Sequence, residues 1–274
     1  MRTTTGGGVT LYFERVGAGE RLLFISGTGG DLRHQPSAFD GPLGSRFDVL
    51  AYDQRGLGRS SVPDGPYSMA DYADDAAALL DEVGWDSCLV MGMSFGGMVA
   101  QEVAIRHPGR VRRLVLACTS SGGAGGASIP FDELARLEGT KRVERQIEMM
   151  DTRWDEARRA THPAEWQMMV DAMSGYLGAR DVSPERAKGA ALQLEARSHH
   201  DTWDRLGAIA CPTLVCGGRF DGIASPENSE RLAGRIPGAE VALYDGGHQF
   251  LWQAKEAFPR IVAFLSDGRV RAAG

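Results

Sequence analysis

Four cysteines in 274 residues, with no CxxC pair and no histidine at zinc-ligand spacing, leave little for a disulfide framework or a structural zinc site. Cys88, Cys118, Cys211 and Cys216 lie in or beside apolar runs ("SCLVMG", "RLVLACTS", "CPTLVCGG") and are expected as small core side chains. No run approaches the roughly 20 apolar residues that span a bilayer. The start, "MRTTTGGGVT", has no apolar signal-peptide core. Both absences point to a cytoplasmic protein without a membrane partner. The formal charge is −6 and no Lys/Arg cluster offers a footprint for phosphate backbones, so no nucleic-acid partner is expected. Internal repeats are absent, and the glycines at 6–8 and 122–126 read as flexible connectors.

What is present is the composition of a globular protein, 43% apolar and 24% charged. Short apolar runs alternate with helical patterns, the signature of a mainly parallel sheet covered on both faces. "RLLFISGTGG" and "FDVLAYDQRGLGRSS" read as strands running into glycine-rich and polar loops. "SMADYADDAAALLDEVG" reads as a helix capped by Ser68 and ended at Gly84. Strand "SCLVMGMS", helix "GGMVAQEVAIRHPGRV" and strand "RRLVLACTS" follow. The alternation resumes with strand "CPTLVCGGRFD", helix "SPENSERLAGRI", strand "AEVALYDGGH" and one helix over "QFLWQAKEAFPRIVAFL". Between residues 120 and 206 the strand signal vanishes. That stretch holds amphipathic helices over "FDELARLEGTKRVERQIEMMDTRWDEARRA" and "PAEWQMMVDAMSGYLG", with "SSGGAGGAS" as a hinge into it. Its Met and Trp residues pack the insertion, and some are expected to face a ligand.

The chemistry concentrates in "GMSFGG", Gly92 to Gly97. A serine flanked by glycines, where a strand ends and a helix begins, fits a sharp turn that tolerates no bulk beside it. The helix N-terminus directs free amides toward the Ser94 side chain. A serine hydroxyl needs a base to take its proton and a carboxylate to orient that base. His248 in "DGGHQF" follows the last strand, and Asp221 in "GGRFDGIASP" follows the strand before it. Asp245 is a rival acid, but it stands only three residues before His248, whereas the orienting group should arrive from another loop. Asp53 and Arg55 in "YDQRG" are expected to hold a loop together, and Arg33 and Arg219 to be solvated. His199, His200 and Asp201 lack the spacing of metal ligands and are expected to be structural or superficial.

The chain order Ser94, Asp221, His248, together with "YDQRGLGRSS" and "GGRFDGIASPENSERLA", resembles the α/β-hydrolase fold over nearly the whole chain. Its small-substrate members, the enol-lactonases, carboxylesterases and carbon-carbon bond hydrolases, are the most similar. The resemblance implies an α/β architecture with a mainly parallel central sheet flanked by helices. On the same resemblance the core would comprise residues 1–119 and 207–274, with a helical cap inserted at 120–206. It also implies a serine hydrolase that cleaves an ester or lactone of a small, largely apolar substrate through an acyl-enzyme. Ser94, His248 and Asp221 would be catalytic, and the backbone N–H groups of Phe95 and Thr28 would form the oxyanion hole. Gly29 is the alternative to Thr28, because Ser26 stands where many relatives carry histidine. No cofactor and no metal is expected. The partner is a small-molecule substrate, and an oligomer is possible. Alternatives are a diketone hydrolase, a cofactor-free perhydrolase and a ligand receptor that has lost catalysis. Epoxide hydrolases and dehalogenases are disfavoured, since they place a carboxylate where Ser94 stands.

Overall fold

The computed structural model describes residues 1–4, 8–35, 37–129, 131, 134, 136–178 and 183–266. Among the described residues eight strands form one sheet: β1 (Arg2–Thr4), β2 (Thr10–Gly17), β3 (Glu20–Ile25), β4 (Phe47–Asp53), β5 (Cys88–Met93), β6 (Val111–Ala117), β7 (Thr213–Gly218) and β8 (Glu240–Tyr244). Their order is β1-β2-β4-β3-β5-β6-β7-β8, antiparallel at β1–β2 and β2–β4 and parallel elsewhere. The described helices are α1 (Pro42–Arg46), α2 (Met69–Glu82), α3 (Phe95–Arg106), α4 (Gly139–Met150), α5 (Glu156–Thr161), α6 (Pro163–Gly178), α7 (Pro184–Ser198), α8 (Pro226–Arg235), α9 (Phe250–Gln253) and α10 (Ala257–Ser266).

Two-residue periodicity sorts the strand side chains between two cores. Leu23, Ile25, Val90, Leu114 and Val215 face α2, α3 and α8. Leu22, Val49, Leu89, Val115 and Leu214 face α9 and α10. Burial on both faces explains why these strands read as unbroken apolar runs. Ser68 caps α2 as expected, in a reciprocal capping box with Asp71.

From Ser120 to the return at Thr213 the described residues contain only helices, turns and an isolated bridge between Gly122 and Asp201. This segment leans on the loops that follow the carboxyl ends of the parallel strands. Arg186 donates to the Ser60 carbonyl at 2.7 Å, and the Thr152 amide to that of Phe220 at 2.9 Å. The His248 amide donates to the Met150 carbonyl at 2.6 Å. Gly189 presses so closely on Gly56 that a Cβ there would overlap the Gly56 carbonyl.

Three features of the loops and helices differ from the sequence reading. The helix expected over 249–265 is two: Pro259 lacks an N–H and its ring would clash with the carbonyl of Lys255, so α10 starts afresh at Ala257. The glycines at 122–126, expected as a connector, form a hydrogen-bonded turn. Gly122, Gly123 and Gly126 take positive φ, and the Gly122 amide donates to Gly126 at 3.1 Å. Of the other glycine run, residues 6 and 7 lie outside the described residues. The third feature is α7, which the sequence reading passed over.

His199–Asp201 close this turn rather than a metal site. Among the described residues no group of three potential ligands forms. His200 is buried, its Nε2 donating to the Ser120 carbonyl at 3.2 Å, and burial pushes its pKa down to about 4. Its folded value therefore lies below the ordinary 6.5. Stability is complete above 6.5 and falls toward 4, because only the unfolded chain takes up the proton. Wild type should lose about 2 kcal/mol more than His200→Gln between pH 7.5 and pH 5, on the order of 1.4 kcal/mol per pH unit below 6.5. Urea unfolding of both proteins at the two pH values checks this.

Candidate active site

Ser94 joins β5 to α3 with φ 53° and ψ −118°, a left-handed backbone that a side chain rarely adopts. The surroundings hold it there. Its amide donates to the Ala117 carbonyl at 2.8 Å, and its carbonyl accepts from Thr119 Oγ1 at 2.8 Å. A Cβ on Gly92 would overlap the Gly96 carbonyl, and one on Gly96 that of Ile25. The glycines are thus required by close backbone approach at the turn.

Three loop ends converge on this turn. His248, after β8, places Nε2 3.0 Å from Ser94 Oγ. Its Nδ1 lies 2.7 Å from Asp221 Oδ2, after β7. With Nδ1 protonated and donating to the carboxylate, Nε2 is left to accept from the serine hydroxyl. The Asp221 side chain is fully buried, and its Oδ1 accepts from the amides of Ile223 and Ala224 at 2.8 and 2.9 Å. Those bonds compensate the burial of a carboxylate. The His248 loop is braced by the helical segment: the Gly247 amide donates to Gln253 Oε1 at 2.6 Å, and Gln253 Nε2 to Asp151 Oδ2 at 3.1 Å.

The loop after β3 closes the other side. A Cβ on Gly27 would lie 3.4 Å from Ser94 Cβ. Phe95 is the first residue of α3, where a helix amide has no intrahelical acceptor. The Gly29 amide is occupied, donating to Gln193 Oε1 of α7 at 2.8 Å. Gln193 is fully buried, and its Nε2 has no hydrogen-bond partner among the described residues. The small cleft beside Gly29, lined by Asp31, His34, Gly58, Arg186 and Ala190, does not include Ser94.

The remaining candidates stay outside this row. Asp245 is 80% exposed at its side chain and pairs with Arg219 at 3.4 Å. Arg33 pairs with Asp31 at 2.5 Å. Arg55 grips Asp75 with Nε at 2.7 Å and Nη2 at 2.9 Å, while buried Asp53 accepts the amides of Leu32 and Arg59. Burial holds the Asp53 carboxyl above its ordinary range despite those two bonds. Both residues serve the loop, as expected. Gln193 escaped the sequence reading because a polar residue on an Ala-rich helix looks solvated. The one local signal was Ser183-Pro184, a helix start with Pro at the first turn.

A sheet of this order, with the serine turn after β5 and the acid and histidine after β7 and β8, defines the class: the chain belongs to the α/β-hydrolase fold family, whose family model matches residues 20–255. Among curated relatives it is 31% identical over 264 residues to a poly(3-hydroxyalkanoate) depolymerase of Ectopseudomonas oleovorans, covering 92% of this chain and 86% of that one. It is 27% identical over 266 residues to 3-oxoadipate enol-lactonase 2 of Acinetobacter baylyi, covering 95% and 94%. Among solved structures, the enol-lactonase of Burkholderia xenovorans LB400 superposes with a TM-score of 0.74 at 25% identity, covering 97% of this chain and all of that one. The family is one of hydrolases, and the relatives are of esterase and lactonase type.

Proposed function

We propose that the protein is a serine hydrolase that cleaves a carboxylic ester or lactone of a small compound through an acyl-enzyme. The observation that carries this reading is the unbroken row from Ser94 Oγ to His248 to Asp221, at 3.0 and 2.7 Å. On this reading His248 Nε2 takes the hydroxyl proton as Ser94 Oγ attacks the carbonyl carbon. The carbonyl oxygen becomes an oxyanion received by the amides of Phe95 and Thr28. The Gly29 amide is engaged by Gln193, which supports Thr28 as the second donor. His248 then returns the proton to the leaving alkoxide. A water, deprotonated by the same imidazole, attacks the acyl carbon, and the imidazolium gives that proton to Ser94 Oγ as the acid leaves. Asp221 holds the imidazole tautomer and balances its transient charge. The helical segment 120–206 serves as a cap over this row. Its contacts with the loops after β3, β4, β7 and β8 support that role.

The test is intact-mass analysis after treatment with a fluorophosphonate. One adduct on wild type, absent from Ser94→Ala and slow to form on His248→Ala, is expected; a well-folded wild type that takes no adduct would sink the reading.

Gln193 ties the cap to the oxyanion loop, so Gln193→Leu leaves the Gly29 amide unpaired. We expect kcat for an ester to fall about tenfold, the size of one lost hydrogen bond at a reacting group. Amide hydrogen exchange across residues 26–31 should quicken in the same variant. Equal exchange in both proteins would show that Gln193 does not hold the loop.

A further inference from the structure

Three fully buried side chains, Asp53, Gln54 and Gln193, hold the loop after β3. Within that loop Gly27 to Gly30 form a turn, closed by the Gly30 amide on the Gly27 carbonyl at 3.1 Å. Gly29, its third residue, takes φ 69°, as a type II turn requires. Thr28, the second oxyanion donor of the mechanism above, is the residue before it. Upstream of the turn, Gln54 Nε2 donates to the Ser26 carbonyl at 2.8 Å and lies 3.3 Å from Ser26 Oγ. Two oxygens facing Nε2 fix the sense of the Gln54 amide, since a flipped group would set oxygen against oxygen. Downstream, Asp53 Oδ1 accepts the Leu32 amide at 2.7 Å. Gln193 takes the Gly29 amide from α7.

Ser26 is where this loop meets the serine turn. A Cβ on Gly96 would lie 2.6 Å from the Ser26 carbonyl oxygen, and one on Gly30 would lie 2.2 Å from Ser26 Oγ. Ser26 is thus pressed between the first turn of α3, which begins at Phe95, and the glycine turn that carries Thr28. Asp53 also holds the Arg59 amide at 2.8 Å, and Gln193 belongs to the helical segment. Gln54 is therefore the core's own tie on the end of the loop that touches the nucleophile. Packing alone does not ask for it, because an apolar side chain of the same volume would fill the space. An amide that receives an oxyanion must be in place before the charge develops, and a misplacement of about 1 Å can cost about 100-fold in rate.

We propose that Gln54 is a positioning residue of the reaction: by holding Ser26 it fixes the turn that aims the Thr28 amide at the oxyanion. The role in catalysis rests on the hydrolase reading above; the hold on the loop does not.

The test compares wild type with Gln54→Met, of like size without a donor, and Gln54→Asn, whose NH₂ group falls a methylene short of Ser26. The substrate is p-nitrophenyl butyrate and the inhibitor trifluoromethyl hexyl ketone. In the ketone adduct Ser94 Oγ bonds to the carbonyl carbon, the C=O electron pair moves to oxygen as an oxyanion, and the serine proton passes to His248. Both variants should lose about tenfold in kcat with KM held within about twofold, because the oxyanion forms in acylation and deacylation alike. Affinity for the ketone should fall by the same factor as kcat/KM. Amide hydrogen exchange across residues 26–31 should quicken. Leu79→Ala, a core deletion in α2, should lower the melting midpoint without moving kcat, which separates positioning from lost stability. Unchanged exchange or unchanged kcat in both Gln54 variants overturns the proposal, as does a fall in kcat that leaves the ketone's affinity untouched. Quickened exchange, with a wild type that neither cleaves the ester nor binds the ketone, supports the hold on the loop and removes the hydrolase reading instead.

Discussion

Ser94→Ala is expected to lower ester turnover by about 10⁴- to 10⁶-fold, and His248→Ala by a comparable factor. The two losses should not add. On the proposed mechanism the hydroxyl and the imidazole act as one unit joined by the 3.0 Å bond, so removing either leaves the other nothing to do. The double variant should therefore be about as slow as each single one. What remains is catalysis by the oxyanion amides and by substrate binding, which neither substitution touches. Alanine at 94 still has to occupy φ 53°, a strain carried by the Ala117 and Thr119 contacts, which do not involve the hydroxyl. Its melting midpoint should therefore match that of wild type. Steady-state kinetics on all three variants, with thermal melts beside them, decide the matter. A Ser94→Ala protein that keeps a tenth of wild-type turnover would remove the serine from the reaction.

The turn around Ser94 was legible because its constraints are local. Strand, glycine, serine, glycine and helix are neighbours in the chain, and the backbone approaches that demand Gly92 and Gly96 follow from a tight strand-to-helix turn. Asp221 and His248 were legible for a similar reason, each following an apolar run of strand length, β7 buried throughout and β8 the half-exposed edge of the sheet. The role of α7 was not. Gln193 meets Gly29 across 164 positions of sequence, and its amide looks like any polar side chain on a helix until that partner is seen. Arg197, buried on the same helix, is still less visible, since burial of a charge does not show in composition. The break before α10 was readable in principle: Pro259 forbids the preceding turn, and the apolar spacing across 249–265 masked it. Strands β1 and β2 were also passed over. β1 is three residues long, and only Leu11 and Phe13 of β2 point into the core.

Asp221→Asn is expected to cost about 10⁴-fold in kcat/KM while leaving stability almost untouched, and the reason lies in the two amides behind the carboxylate. Ile223 and Ala224 both donate to Oδ1. An asparagine in this place must turn its carbonyl oxygen toward those donors, because its own NH₂ group would confront two N–H groups. The NH₂ then faces His248 Nδ1 and donates to it. That forces the imidazole proton onto Nε2, the nitrogen that must accept from Ser94. The variant is isosteric, keeps its hydrogen bonds and holds the wrong tautomer, so the loss should fall on kcat and fluorophosphonate labelling should slow with it. Asp245→Asn is the control. That side chain is 80% exposed beside Arg219, and turnover should be unaffected. If the two substitutions exchanged effects, the acid of the mechanism would be Asp245, and the 2.7 Å contact at Asp221 would be a buried brace for the histidine loop.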